Sequence, residues 1–268
     1  MPNLKHPKGT IYYEVKGEGP PLVALRGLGR TIRHWLGFDD QLSEHFQVIT
    51  FDFRGVGRTT ASWGVGDSIF DSADDLFMIL DELNIEAAHI LGVSLGGMVA
   101  LAAGISRPQR CLSVTVINTS IAGNRRPRLT LKALNAIGRG LQNRDNMHMG
   151  LVDVLVGSDF PQEMRPQIAQ KFAEIEKREG LFGKTVMKQI GSAARFHIKR
   201  KLRHFKPPLL IVFGTDDQFV PNIHSKKLFV QVPHARLHPI VGAGHELAID
   251  HGDELIRVLK EFTAQSCT

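Results

Sequence analysis

Short apolar runs alternate with segments of helical spacing over most of the chain. Residues 22–25, 46–51, 88–93, 112–117 and 209–213 are brief, aliphatic or β-branched, and bounded by Gly, Pro or Asp. That pattern predicts buried strands. Between them, 71–83 and 95–105 carry apolar residues three and four apart and predict helices. Residues 246–262 do the same, with Leu247, Ile249, Leu255, Ile256 and Leu259 as the apolar set. Residues 11–15, with Tyr12 and Tyr13, predict an extra antiparallel strand at the start. Strand–helix–strand alternation implies an α/β fold with a mostly parallel sheet. Parallel neighbours need crossover connections, and these cover both faces of the sheet.

The alternation stops between residues 121 and 206. Here the β pattern is absent and helical patterns follow one another at 129–141, 147–156, 161–177 and 181–198, punctuated by Gly157, Pro161 and Gly180. Pro207-Pro208 restarts the strand pattern. The expected organisation is one α/β core, residues 1–120 and 207–268, split by an all-helical insertion at 121–206.

Composition narrows the class. With 268 residues, 43% hydrophobic and 22% charged, the chain can bury a full core without staples, and extended disorder is excluded. Two cysteines, Cys111 and Cys267, exclude a disulfide framework or a Cys-rich metal cluster. The first ten residues have no apolar core, so no signal peptide is expected. No apolar stretch reaches the ~20 residues that span a bilayer. The expectation is a soluble, cytoplasmic protein without stable membrane insertion.

Gly92-Val93-Ser94-Leu95-Gly96 is the sharpest chemical feature. A G-x-S-x-G match is short, but here a predicted strand precedes it and a predicted helix follows it. That is the strand-turn-helix of a nucleophile elbow, in which the residues two before and two after the serine must lack bulk. A helix N-cap serine flanked by packing glycines is the alternative. A serine nucleophile needs a base and an orienting carboxylate. The strand at 209–213 runs into Gly214-Thr215-Asp216-Asp217, and carboxyl ends of parallel strands are where such sheets bind ligands. Another predicted strand leads into Val241-Gly242-Ala243-Gly244-His245.

With these segments the sequence resembles the α/β-hydrolase superfamily over nearly its whole length. The family's G-x-x-D-x-x-[VT]-P pattern matches Gly214 to Pro221 and selects Asp217 over Asp216. Its G-x-G-H-x pattern matches Gly242 to Glu246 and selects His245 among twelve histidines. Its D-x-R-G-x-G-x-[ST] loop is Asp52 to Thr59. The resemblance implies a catalytic triad of Ser94, Asp217 and His245, and an oxyanion hole from the backbone N–H groups of Leu28 and Leu95. It implies no metal or organic cofactor. Family members commonly have His-Gly where this chain has Arg26-Gly27. Arg26 is either a strut paired with a carboxylate or a contact for a substrate acid group.

By the same resemblance, the insertion is a cap over the site. Its candidate lining residues are Met147, Met149, Phe160, Phe182, Met187 and Phe196, each alternatively cap core. Ser94 stands where epoxide hydrolases and haloalkane dehalogenases of this fold have Asp, which argues against those chemistries. Expected instead is acyl-enzyme hydrolysis of a small carboxylester, thioester or lactone. Carbon–carbon bond hydrolysis, acyl transfer and a slow-turnover receptor that keeps the triad are alternatives on the same fold.

Rival motifs fail. Gly27-Leu28-Gly29 and Gly55-Val56-Gly57 lack the third glycine of a dinucleotide loop, with Ile32 and Thr60 there instead. His234 and His238 flank a predicted strand, where their spacing does not converge on a metal. The net charge of +6 divides into +11 over residues 121–206 and −5 over the rest. The excess sits at Arg125-Arg126-Pro127-Arg128 and Lys199-Arg200-Lys201-Leu202-Arg203. It reads either as a solvated hinge or as steering for an anionic small-molecule substrate. No aromatic interleaving accompanies it, so nucleic acid is not an expected partner. A monomer or homodimer is expected.

Overall fold

The computed structural model describes residues 3–121, 129–142, 147–180 and 182–266, without the side chains of 139–142. Eight strands form one sheet: β1 (Asn3–His6), β2 (Gly9–Lys16), β3 (Pro21–Leu25), β4 (Gln47–Phe51), β5 (Ala88–Val93), β6 (Cys111–Ile117), β7 (Leu209–Gly214) and β8 (Arg236–Ile240). Their spatial order is β1-β2-β4-β3-β5-β6-β7-β8. The pairs β1–β2 and β2–β4 are antiparallel, and every later neighbour is parallel. The register matters for function. Leu25 pairs with Gly92, Val93 with Ile117, Ile117 with Val212, and Gly214 with Ile240. The carboxyl ends of five strands are therefore level, and the loops leaving them share one edge.

Alternation along the strands sorts the core into two layers. Val23, Leu25, Ile90, Val114, Val116 and Ile211 point to one face and pack with α2 (Ile69–Glu82) and α3 (Leu95–Ser106). Leu22, Ala24, Leu91, Val93, Leu210 and Val212 point to the other, with α1 (Phe38–Ser43) and the closing helix. Helix α2 starts at Ser68, whose backbone N–H donates to the Asp71 carboxylate at 2.9 Å, one half of a capping box.

Between β6 and β7 the described residues hold only helices: α4 (Leu131–Gln142), α5 (Met147–Leu155), α6 (Arg165–Glu179), α7 (Gly183–Ala194) and the short α8 (Lys199–Leu202), besides one 3₁₀ turn. These helices fall in the segment where a helical cap is expected. Val152, Leu155, Val156, Phe160, Ile168, Ala169 and Phe172 give it a small core of its own. After β7 come α9 (Ile223–Gln231), α10 (Leu247–Asp250) and α11 (Gly252–Ser266).

Three departures from the sequence pattern have physical causes. Strand β1 shows no apolar run because only Leu4 turns into the core. Helices α1 and α9 are too short to establish a period. The single helix expected at 246–262 is two, broken at His251 (φ −140°, ψ 40°). There Asp250 turns back to accept the N–H groups of Gly157 and Gly244, at 2.9 and 2.7 Å, and so fastens the cap to the loop after β8. Of the candidate lining residues, Phe160 lies in the cap core, with Met149 packed against it. Phe196 lies in the main core, its ring 5.7 Å from Phe70, and Phe182 packs against that core. Met147 is half-buried. Met187 faces solvent at 67% exposure. Arg125, Arg126, Arg128 and Cys267 lie outside the described residues. No helix among the described residues is long and apolar enough to cross a membrane.

Candidate active site

Ser94 is the residue between β5 and α3, and its backbone is left-handed and strained (φ 55°, ψ −114°). Four hydrogen bonds fix it there. Its N–H donates to Ile117 O at 2.8 Å, and its carbonyl accepts from Thr119 Oγ1 at 2.7 Å, Gly97 N at 3.0 Å and Met98 N at 3.3 Å. The flanking glycines are steric necessities. A Cβ on Gly92 would fall onto the backbone of Gly96, and one on Gly96 would lie 2.5 and 2.6 Å from the carbonyl oxygens of Leu25 and Arg26. Helix α3 can thus sit directly against the end of β3 and carry the serine at its N-terminus.

Asp217 follows β7 and is fixed by its own loop. Its Oδ1 accepts the N–H groups of Phe219 and Val220, both at 2.8 Å. Its Oδ2 meets His245 Nδ1 at 2.8 Å, with the two side chains 1% and 3% exposed. Asp216 points elsewhere, accepting the N–H of Ser158 in the cap. The Phe219 ring lies 4.9 Å from the imidazole. Burial opposes a charged imidazole, but the charge and hydrogen bond of Asp217, reinforced by Glu246, outweigh it. The His245 pKa is therefore raised above its ordinary value.

Leu28 lies in the loop after β3. A Cβ on Gly27 would lie 3.4 Å from Ser94 Cβ and 3.9 Å from Ser94 Oγ, so this loop borders the serine. The loop also meets the cap, since Gly29 N–H donates to Gln189 Oε1 of α7 at 3.0 Å. Leu95 is the first residue of α3, where N–H groups have no intrahelical acceptor.

Two supporting groups escaped the sequence reading. Asn118, at the end of β6 with φ 47°, donates from Nδ2 to the carbonyls of Gly244 and His245, both at 2.9 Å. Its Oδ1 accepts Gly214 N–H at 3.0 Å. One amide thus ties the loop of His245 to the strand of Asp217. Glu246 is the second. Arg26 Nη2 reaches both Glu246 carboxylate oxygens, at 3.0 and 2.9 Å, which supplies the strut anticipated for that arginine. Burial alone would raise the Glu246 carboxyl, but Arg26 and Arg30 hold it below its usual range.

The Asp52–Thr59 loop is structural. Asp52 accepts the N–H groups of Ile32 and Arg58, and Arg54 binds Asp75 through two nitrogens, at 2.7 and 2.6 Å. Cys111 offers no rival nucleophile, because burial pushes its thiol up to about 12.

A family model described as the alpha/beta hydrolase fold matches residues 20–252. The protein named carbamate hydrolase RutD of Agrobacterium fabrum is 28% identical over 94% of this chain and 97% of its own. Among solved structures, Est816, described as an N-acyl homoserine lactone degrading enzyme, superposes with a TM-score of 0.79. It is 25% identical and covers 97% of this chain and all of its own. The enol-lactonase of Burkholderia xenovorans LB400 shares the fold at a TM-score of 0.79 and 21% identity, covering 98% of this chain and 100% of its own. A match across most of the chain, a sheet of the same class and a serine held at the strand-to-helix turn lead to one conclusion: the chain belongs to the α/β-hydrolase family.

Proposed function

We propose that this protein is a serine hydrolase that works through an acyl-enzyme on Ser94. The observation that carries the reading is the buried Asp217–His245 hydrogen bond of 2.8 Å on the same sheet edge as a strained serine. Ser94 Oγ attacks a substrate carbonyl while His245 Nε2 takes its proton. Asp217 holds the Nδ1–H tautomer and stabilises the imidazolium. The N–H groups of Leu28 and Leu95 receive the oxyanion, each worth about 3 kcal/mol of barrier. Collapse expels the leaving group, which takes the proton from His245. Water then adds to the acyl-enzyme, His245 again accepting the proton, and Ser94 is released.

The substrate is a small ester, thioester or lactone. The carbamate named for the RutD relatives and the acyl lactone named for Est816 fit the same chemistry. Residues 121–206 act as the cap that shapes the acyl pocket. The deciding experiment is turnover across panels of esters, thioesters, lactones, carbamates and diketo acids, with Ser94→Ala as control. Loss of all turnover in Ser94→Ala supports the reading, and wild-type rates in that variant would overturn it.

A further inference from the structure

The loop after β3 reads Arg26-Gly27-Leu28-Gly29-Arg30, so two arginines flank the turn that carries Leu28. Arg30 N–H closes that turn onto Gly27 O at 3.2 Å. The two guanidinium groups are unevenly satisfied. Arg26 is 2% exposed and spends one nitrogen on Glu246, while its Nε and Nη1 are buried without a hydrogen-bond partner among the described residues. Arg30 is half-buried, and its guanidinium carbon lies 4.3 Å over the ring of Phe172 from cap helix α6. Among the described residues its side chain makes no hydrogen bond and no ion pair.

Glu246 is already bound by Arg26, and Glu176 meets His148 Nε2 at 2.9 Å, an imidazole whose pKa burial lowers, so that Glu176 keeps its charge. Arg33, the next arginine along, has its own carboxylate in Glu179 at 2.7 Å. His34 adds no further positive charge, because burial first, then Arg30 and Arg26, keep its pKa well below its usual range. Burial, with the repulsion of Arg26, pulls the Arg30 guanidinium down to about 10, against the attraction of Glu246 and Glu176. A cation partly withdrawn from water is held at a cost that a matching anion would offset. Arg30 keeps its contact with solvent and its donors open, at the seam between the cap and the turn beside Ser94.

We infer that Arg30 is a recognition site for a carboxylate of the substrate. A planar fork of N–H donors matches a carboxylate in two parallel hydrogen bonds. The preferred substrates would then be acyl compounds that carry a second, ionised acid group. This rests on the serine-hydrolase reading, and it places the anion contact in the core loop rather than in the basic stretches of the cap.

The test compares 4-nitrophenyl hemiesters of succinate, glutarate and adipate with chain-matched neutral esters. In wild type the anionic series is preferred. Arg30→Gln lowers the ratio of kcat/KM, anionic over neutral, by about 30-fold for the best chain length, the size of a lost charge-assisted pair. Most of that change falls in KM, and Arg30→Lys restores part of it. A proportional loss on both series would assign Arg30 a purely structural role and overturn the inference. So would an unchanged ratio. A second arm does not need turnover: succinate, glutarate and adipate are titrated calorimetrically into Ser94→Ala, with and without Arg30→Gln. Binding of at least one that depends on Arg30 supports the site, and binding indifferent to Arg30 or absent throughout overturns it. If wild type hydrolyses neither series and resists fluorophosphonates, the serine-hydrolase reading fails, and the titration alone decides the anion site.

Discussion

Replacing Asn118 by Ala removes a buried side chain that joins the histidine loop to the acid strand. The amide is 2% exposed and makes three hydrogen bonds, two to carbonyls of the His245 loop and one from Gly214. At a net ~1 kcal/mol each, their loss destabilises by about 3 kcal/mol. An alanine at φ 47° adds about 1 kcal/mol of backbone strain that asparagine tolerates better. The expected total is about 4 kcal/mol. A domain stable by roughly 5–15 kcal/mol survives this and can be assayed. Asn118→Gly separates the two effects, since glycine accepts the positive φ and should lose only the ~3 kcal/mol of hydrogen bonding. Urea unfolding followed by the fluorescence of buried Trp35 and Trp63 measures the stability. Turnover measures the second consequence, a slackened His245 that lowers kcat by about 10- to 100-fold. A destabilisation under ~1 kcal/mol together with an unchanged kcat would refute the reasoning.

Four further outcomes follow. Gly92→Ala drives a methyl group into the Gly96 backbone and should destabilise by about 3 kcal/mol or prevent folding. Gly138→Ala, in open space on helix α4, should be neutral or stabilising by up to ~1 kcal/mol in the same melts. In the proposed mechanism His245 must be neutral to accept the serine proton, and its pKa is raised, so kcat/KM should fall as pH drops through a value above 6.5. Glu246→Gln removes a neighbour that favours the imidazolium, so the pH–rate profile of that variant should show its acid limb shifted to lower pH.

The elbow was legible because its constraint is local: a serine with glycines two residues either side, between a strand and a helix, is a steric requirement written in five residues. The sheet was legible for a similar reason, since β3, β5, β6 and β7 are buried on both faces and read as continuous apolar runs. Asn118 and Glu246 carry no such signal. Their partners lie 96 to 127 and 220 residues away, and only the register of β6 against β7 and the path of the loop after β8 bring them together. Arg26 could be identified as needing a carboxylate from its charge alone, but which one depended on the fold. The same holds for the cap. Helical periodicity marks its helices, yet nothing in it distinguishes Phe160, packed within the cap, from Met187, turned to water.

In the proposed mechanism a covalent intermediate forms on Ser94, and intact-protein and peptide mass spectrometry after reaction with a fluorophosphonate reads this directly. The account predicts one adduct per chain, located on Ser94, formed faster above the His245 pKa than below it and absent from Ser94→Ala. Stoichiometric modification at any other residue, or an unmodified Ser94 in a protein that still turns over its substrate, would contradict it.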